Sequence, residues 1–152
     1  MKHIKYLATI AIASALLAFQ TNCHIVTAEI SFGELVDKIT ILTIKSERII
    51  TRSKLNNVHT ELEALQKAYD EYIGSRADVQ ELKELLKKVN EILWEIEDAI
   101  RIKERNKEFD NEFIELARNV YITNDKRCMI KKEIDMILGS RITEEKSYEE
   151  LV

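Results

Sequence analysis

The sequence predicts an all-α protein, an antiparallel helical bundle with long, coiled-coil-like helices. Three observations predict it. The 152-residue chain has no proline and only Gly33, Gly74 and Gly139, too few turn residues for a sheet protein of this size. Charged residues make up 33% and aromatic residues 7%, a balance that suits amphipathic helices. Apolar residues also recur in steps of three and four along most of the chain. This length gives one domain with a sizeable core.

The first 28 residues stand apart. Lys2 and Lys5 precede an apolar run from Leu7 to Phe19, and 26-VTA-28 ends the segment with residues suited to a cleavage site. This is the pattern of a secretory signal peptide, and the run is short for a bilayer crossing. We therefore expect export, to a periplasm or medium, with cleavage after Ala28. The alternative is an uncleaved signal that holds the chain at a membrane; a permanent anchor is not expected. Cleavage removes Lys2, Lys5 and Cys23, so the remainder is more acidic than the whole chain at −4 and keeps Cys128 alone. Without a partner for an internal disulfide, Cys128 reads first as a small buried side chain and only second as a reactive thiol.

Residues 29–139 form the predicted bundle, and 140–152 a polar tail. The first helix opens at 31-SFGE-34, where Ser31 and Glu34 have capping-box spacing. Its stripe is Phe32, Leu35, Ile39, Leu42, Ser46 and Ile49. Ile41 and Ile44 lie away from that stripe, and either a second copy or the tail or a neighbouring helix must cover them. The phase breaks at 51-TRS-53 and resumes as Leu55, Val58, Leu62, Leu65, Tyr69 and Tyr72, up to Gly74. The third helix, from Asp78 to about Lys107, carries a heptad-like series from Val79 to Ile100. A second strip, Leu85, Ile92 and Ala99, widens its apolar face and calls for at least two neighbours. After a break at 107-KEFDN-111, Asp110 is suited to cap the fourth helix, which Gly139 ends.

The residues with most chemical content flank the third and fourth helices. The stripe Phe113, Leu116, Ala117 and Val120 continues as Asn124, Arg127 and Lys131, and polar groups in a buried stripe need partners. On the third helix Asn90, Glu97, Arg101 and Glu104 share a side, with Glu97 and Arg101 spaced as an i,i+4 pair. A hairpin about Phe109 brings Arg127 level with Asn90 and Glu91. There it forks onto a carboxylate of the third helix or onto an anionic ligand. Asn90, Glu97, Arg101, Asn124, Arg127 and Lys131 are thus the ligand-binding candidates. An ion-pair network that fixes helix register is the simpler reading of the same residues.

Other chemistries find little support. No Glu-x-x-His occurs, and the histidines are His3, His24 and His59, so neither a carboxylate-bridged metal pair nor a zinc site is expected. Glu81-x-x-Glu84 and Glu95-x-x-Asp98 echo the acidic motifs of helical nucleotide pyrophosphohydrolases, but lie about 20 Å apart along one helix. No face carries a run of Lys and Arg that would suit nucleic acid. No cofactor is expected, and no residue can be named as catalytic.

Two resemblances add to this reading. The run 37-DKITILTIKSER-48 resembles the first helix of the all-helical chorismate mutases, which act on a dianion through cationic side chains and need no cofactor. Lys38, Arg48, Arg101, Arg127 and Lys131 are the cations available to supply such charge here. Against it, Asp37 and Arg48 lie off the main stripe of their helix. A longer likeness runs through 31-SFGELVDKITILTIKSERI-49, 89-VNEILWEIEDAIRIKE-104, 109-FDNEFIELARNVYITNDKR-127 and 141-RITEEKSY-148. Through these segments the chain resembles an uncharacterised bacterial family of small all-helical domains. The resemblance implies an all-α domain without established activity, sometimes found with glycosyltransferase or tetratricopeptide-type regions, and hence a link to surface-polysaccharide systems. Members usually begin near the equivalent of Ser31, and the Asp-Pro turn expected near 51-TRS-53 is missing here. The expected function is a binding or scaffolding protein, as a homo-oligomer or with a protein partner. A cofactor-free enzyme for a small anionic substrate is the alternative.

Overall fold

The computed structural model describes residues 25–147. Most of the signal-like segment, and the tail from Tyr148 onward, lie outside the described residues. Four helices follow one another: α1 (Phe32–Arg48), α2 (Arg52–Tyr72), α3 (Ala77–Asn106) and α4 (Asn111–Leu138). There is no strand among the described residues.

Local chemistry sets the boundaries. The Ser31 hydroxyl accepts from the Glu34 amide at 3.1 Å, and the Asp110 carboxylate accepts from the Phe113 amide at 3.0 Å. Each thereby satisfies an amide that the first turn leaves without a helical partner. Ile49, Ile50 and Thr51 interrupt the helix, so α1 and α2 are separate. Gly139 caps α4 in the left-handed region, at φ 64°, where a Cβ would be costly. Lys107 adopts the same conformation at φ 62° to close the turn between α3 and α4. The Lys103 ammonium pins that turn through Glu108, Asp110 and Glu112.

Helix α1 is the hub and packs against each of the other three, while α3 and α4 run together as a hairpin. The core joins Leu35, Val36 and Ile39 of α1, Tyr69 of α2, Ile73 beyond it, Val79, Leu82, Leu86 and Val89 of α3, and Ile130 and Ile134 of α4. At about 1.5 Å per residue α3 is roughly 45 Å long and α1 only about 25 Å. The hairpin therefore runs past α1 as a two-helix arm, on which Ile102, Phe109 and Ile114 stay half exposed. Phe109 and Phe113 meet edge to face at its tip, 5.3 Å between centroids.

The packing decides one open alternative and corrects one expectation. Ile44 is 1% exposed and Ile41 half-buried, because neighbouring helices surround α1. Those helices cover Ile44 fully, while Ile41 lines an open cleft. Conversely, Leu85 and Ile92 are 47% and 53% exposed. The strip they form is not buried, since the helices that pack on α3 cover its other residues, Val79, Leu82, Leu86, Val89 and Leu93.

Candidate functional site

The site begins with a close approach between α1 and α4. A Cβ on Gly33 would lie 2.4 Å from the Lys131 carbonyl oxygen, so only glycine lets the two backbones meet here. The Gly33 amide donates to the Asp135 carboxylate at 2.6 Å, which ties the first turn of α1 to α4. Because the helices cross antiparallel, one turn further along α1 meets one turn back along α4. Glu34 then reaches Lys131, and Asp37 reaches Arg127.

Asp37 is the centre of the arrangement. Arg127 forks onto it, with Nε 3.0 Å from Oδ1 and Nη2 2.9 Å from Oδ2. Asn90 of α3 donates to Oδ1 at 2.8 Å and to the Thr40 hydroxyl at 2.9 Å. Thr40 in turn donates to the Asp37 carbonyl oxygen, and Arg127 Nη1 donates to Asn124 Oδ1 at 3.2 Å. The Asp37 side chain is 1% exposed and that of Arg127 29%. A carboxylate so buried is tolerated because a bidentate guanidinium and an amide complete its bonding. Among the described residues no buried side-chain nitrogen or oxygen lacks a partner.

Lys131 forms the second layer. Its side chain is 6% exposed, and its ammonium lies 2.7 Å from Glu34 and 2.5 Å from Glu144. Burial pushes its pKa down, but the bonds to Glu144 and Glu34 outweigh that and hold it above the ordinary lysine value. Glu144 is held below the usual carboxylate range, chiefly by its bond to Lys131, against burial; the charges of Lys131, Lys146 and Arg127 add to the effect. Around it the tail is fastened by charge: Lys132 to Glu145 at 3.0 Å, Arg141 to Glu29 at 2.6 Å, and Lys146 to the Asn124 carbonyl oxygen at 3.5 Å. The polar tail is thus a docked strap, without helix through Ser147.

A pH dependence follows from the sign of these shifts. A depressed carboxylate pKa contributes stability above the ordinary glutamate value and loses it as pH falls through the folded one. The raised Lys131 contributes below the ordinary lysine value and loses its share only in strong alkali. The stability gap between wild type and Glu144→Gln is therefore expected to be present at pH 7 and to close on acidification below about pH 4. Urea unfolding across pH checks this; a gap that persists unchanged to pH 2 would show the clasp is not ionic.

The six candidate residues divide between two openings, with Arg127 as the wall between them. An open cleft of about 370 Å³ is lined by Ile41, Asn90, Leu93, Trp94, Glu97, Asp98, Arg101 and Arg127. Glu97 and Arg101 do not join the buried network. They pair with each other at 2.6 Å on the exposed rim. Arg48 bonds Glu95 at 3.0 Å and stands 5.6 Å from the Trp94 ring centroid. The smaller opening, about 160 Å³, is lined by Asn124, Arg127, Cys128, Lys131, Glu144 and Lys146. Cys128 is buried, and His59 is exposed on α2.

Of the two partners that the sequence offers Arg127, a carboxylate of α3 or an anionic ligand, it takes neither: the carboxylate it meets is Asp37 of α1. Asp37 lies off the main stripe, but a helix enclosed by three neighbours buries more than one stripe. Thr40, three residues from Asp37 and beside the stripe, was the available signal. Glu34 was read only for its capping position, and Glu144 only as part of a polar tail. Among the described residues no group of histidine, cysteine, aspartate or glutamate side chains is placed to hold a metal ion. Nor is any helix there long and apolar enough to cross a membrane.

Fold and site together define a small all-α domain whose helices are locked by a buried ionic clasp. Residues 26–152 match the Family of unknown function (DUF6165), and the chain belongs to that family. No curated protein and no solved structure matches it.

Proposed function

We propose that the protein is a binding or scaffolding module and that the Asp37–Arg127–Asn90 network is architectural. The observation that carries this is internal neutralisation. Arg127 is consumed by Asp37, Lys131 by Glu34 and Glu144, and Arg101 by Glu97. An enzyme of the chorismate mutase kind needs such cations unspent and aimed at its dianionic substrate. Here that requirement is unmet. Contact with a partner has a place on the hairpin, where Leu85 and Ile92 of α3 and Met129 and Met136 of α4, each pair seven residues apart, are 47–76% exposed. Heptad spacing is what a packed helix of another molecule requires, and a second copy of this chain is the partner we favour. The likeness to domains that accompany glycosyltransferases supports work alongside surface-polysaccharide assembly. The signal-like segment supports work outside the cytoplasm.

One set of samples tests the reading. Light scattering should give a mass above that of a single chain, and Met129→Glu should return it to the monomer. The unfolding temperature should not move with sugar phosphates, nucleotide sugars or chorismate at about 1 mM, because only ligands of the folded state raise it. A monomer whose unfolding temperature rises with one of these compounds, with the rise lost in Arg127→Ala, would replace the scaffold by a ligand site.

A further inference from the structure

The smaller opening combines fixed cations with a detachable anion. Lys131 projects from α4 with its side chain 6% exposed and is also held by Glu34. Arg127 is held by Asp37 through Nε and Nη2, which leaves its Nη1 edge at Asn124 and the opening. Lys146 lines the same space. The anion these cations face is the Glu144 carboxylate, 41% exposed and 2.5 Å from the Lys131 ammonium. Among the described residues, its tail is otherwise tied by the exposed pairs Lys132–Glu145 and Arg141–Glu29 and one long bond from Lys146. Exposed pairs of that kind hold weakly, so these ties oppose lifting only weakly. An opening of about 160 Å³ remains beside the carboxylate, room for an oxyanion larger than a carboxylate.

We propose that Glu144 is a tethered occupant of an oxyanion site built from Lys131, Arg127 and Asn124, and that a phosphate-type oxyanion takes the site when the tail lifts. This goes beyond the scaffold reading and does not depend on it. Ammonium and guanidinium groups converging from one rigid helix suit a tetrahedral oxyanion, which offers an acceptor to each. A carboxylate on a short tether has an effective concentration in the millimolar range. It therefore keeps free phosphate out at ordinary concentrations and makes the site dependent on tail release.

Calorimetric titration of the full chain with inorganic phosphate tests this, for wild type, Glu144→Ala, Glu144→Gln and Glu145→Ala. Glu144→Ala should bind phosphate at least about tenfold more tightly than wild type. Glu144→Gln should fall between them, because its amide still fills the place without the charge. Glu145→Ala, which removes the same charge from the same tail outside the opening, should match wild type. Thiol labelling of Cys128, which lines the same opening as Glu144, should be faster in Glu144→Ala in a Cys23→Ser background. Phosphate affinity in Glu144→Ala within twofold of wild type would overturn the proposal, and so would an equal gain from Glu145→Ala.

Discussion

Replacing Asp37 with alanine is expected to cost the bundle about 3 kcal/mol, because it strands Arg127 and Asn90 together. The carboxylate accepts three contacts from the guanidinium and one from the amide. Asn90 keeps only Thr40. For a domain of this size the loss corresponds to a fall of roughly 10 °C in the unfolding temperature. A replacement that removes the charge and keeps the shape, Asp37→Asn, should cost less, since one acceptor oxygen survives. Urea unfolding measures both, and an Asp37→Ala loss under about 1 kcal/mol would mean the clasp is ornamental.

Gly33→Ala should be nearly as damaging, for a steric reason. The added methyl would sit 2.4 Å from the Lys131 carbonyl oxygen and 2.9 Å from its carbonyl carbon. Both are backbone atoms of a long helix and cannot turn aside. α1 must therefore withdraw from α4, which stretches the Gly33–Asp135 hydrogen bond and carries Glu34 and Asp37 away from Lys131 and Arg127. Overpacking of this kind costs up to about 3 kcal/mol. In any other part of a helix the same substitution would stabilise it, by about 1 kcal/mol. A stability equal to wild type would show that the helices do not meet at this point.

The two substitutions also show what the sequence could and could not reveal. The four helices were legible because their apolar spacing, the caps at Ser31 and Asp110 and the breaks near Thr51, Gly74 and Lys107 are local properties. Arg127, Lys131 and Asn90 were legible as polar residues in or beside a buried stripe, which must be satisfied somewhere. Their partners were not. Asp37, Glu34 and Glu144 lie 90, 97 and 13 residues from the cations they meet; the crossing of α1 over α4 decides the first two pairs and the return of the tail along α4 the third. That crossing depends on Gly33, whose meaning in sequence was merely a residue in a capping motif. The second apolar strip of α3 differs from expectation for a related reason. A broad apolar face predicts neighbours, but it does not say whether they belong to the same chain. Leu85 and Ile92 face outward.

If the seam is architectural, the energy of Asp37 and Arg127 must lie mostly in their being together. A double-mutant cycle of Asp37→Ala, Arg127→Ala and the combined variant, followed by urea unfolding, measures that coupling. Each single change strands a charge in a poorly solvated place, whereas the double change removes both. The combined loss should fall short of the sum of the single losses by about 2 kcal/mol. Additivity within about 0.5 kcal/mol would contradict the clasp and return Arg127 to the role of an unspent cation awaiting a ligand.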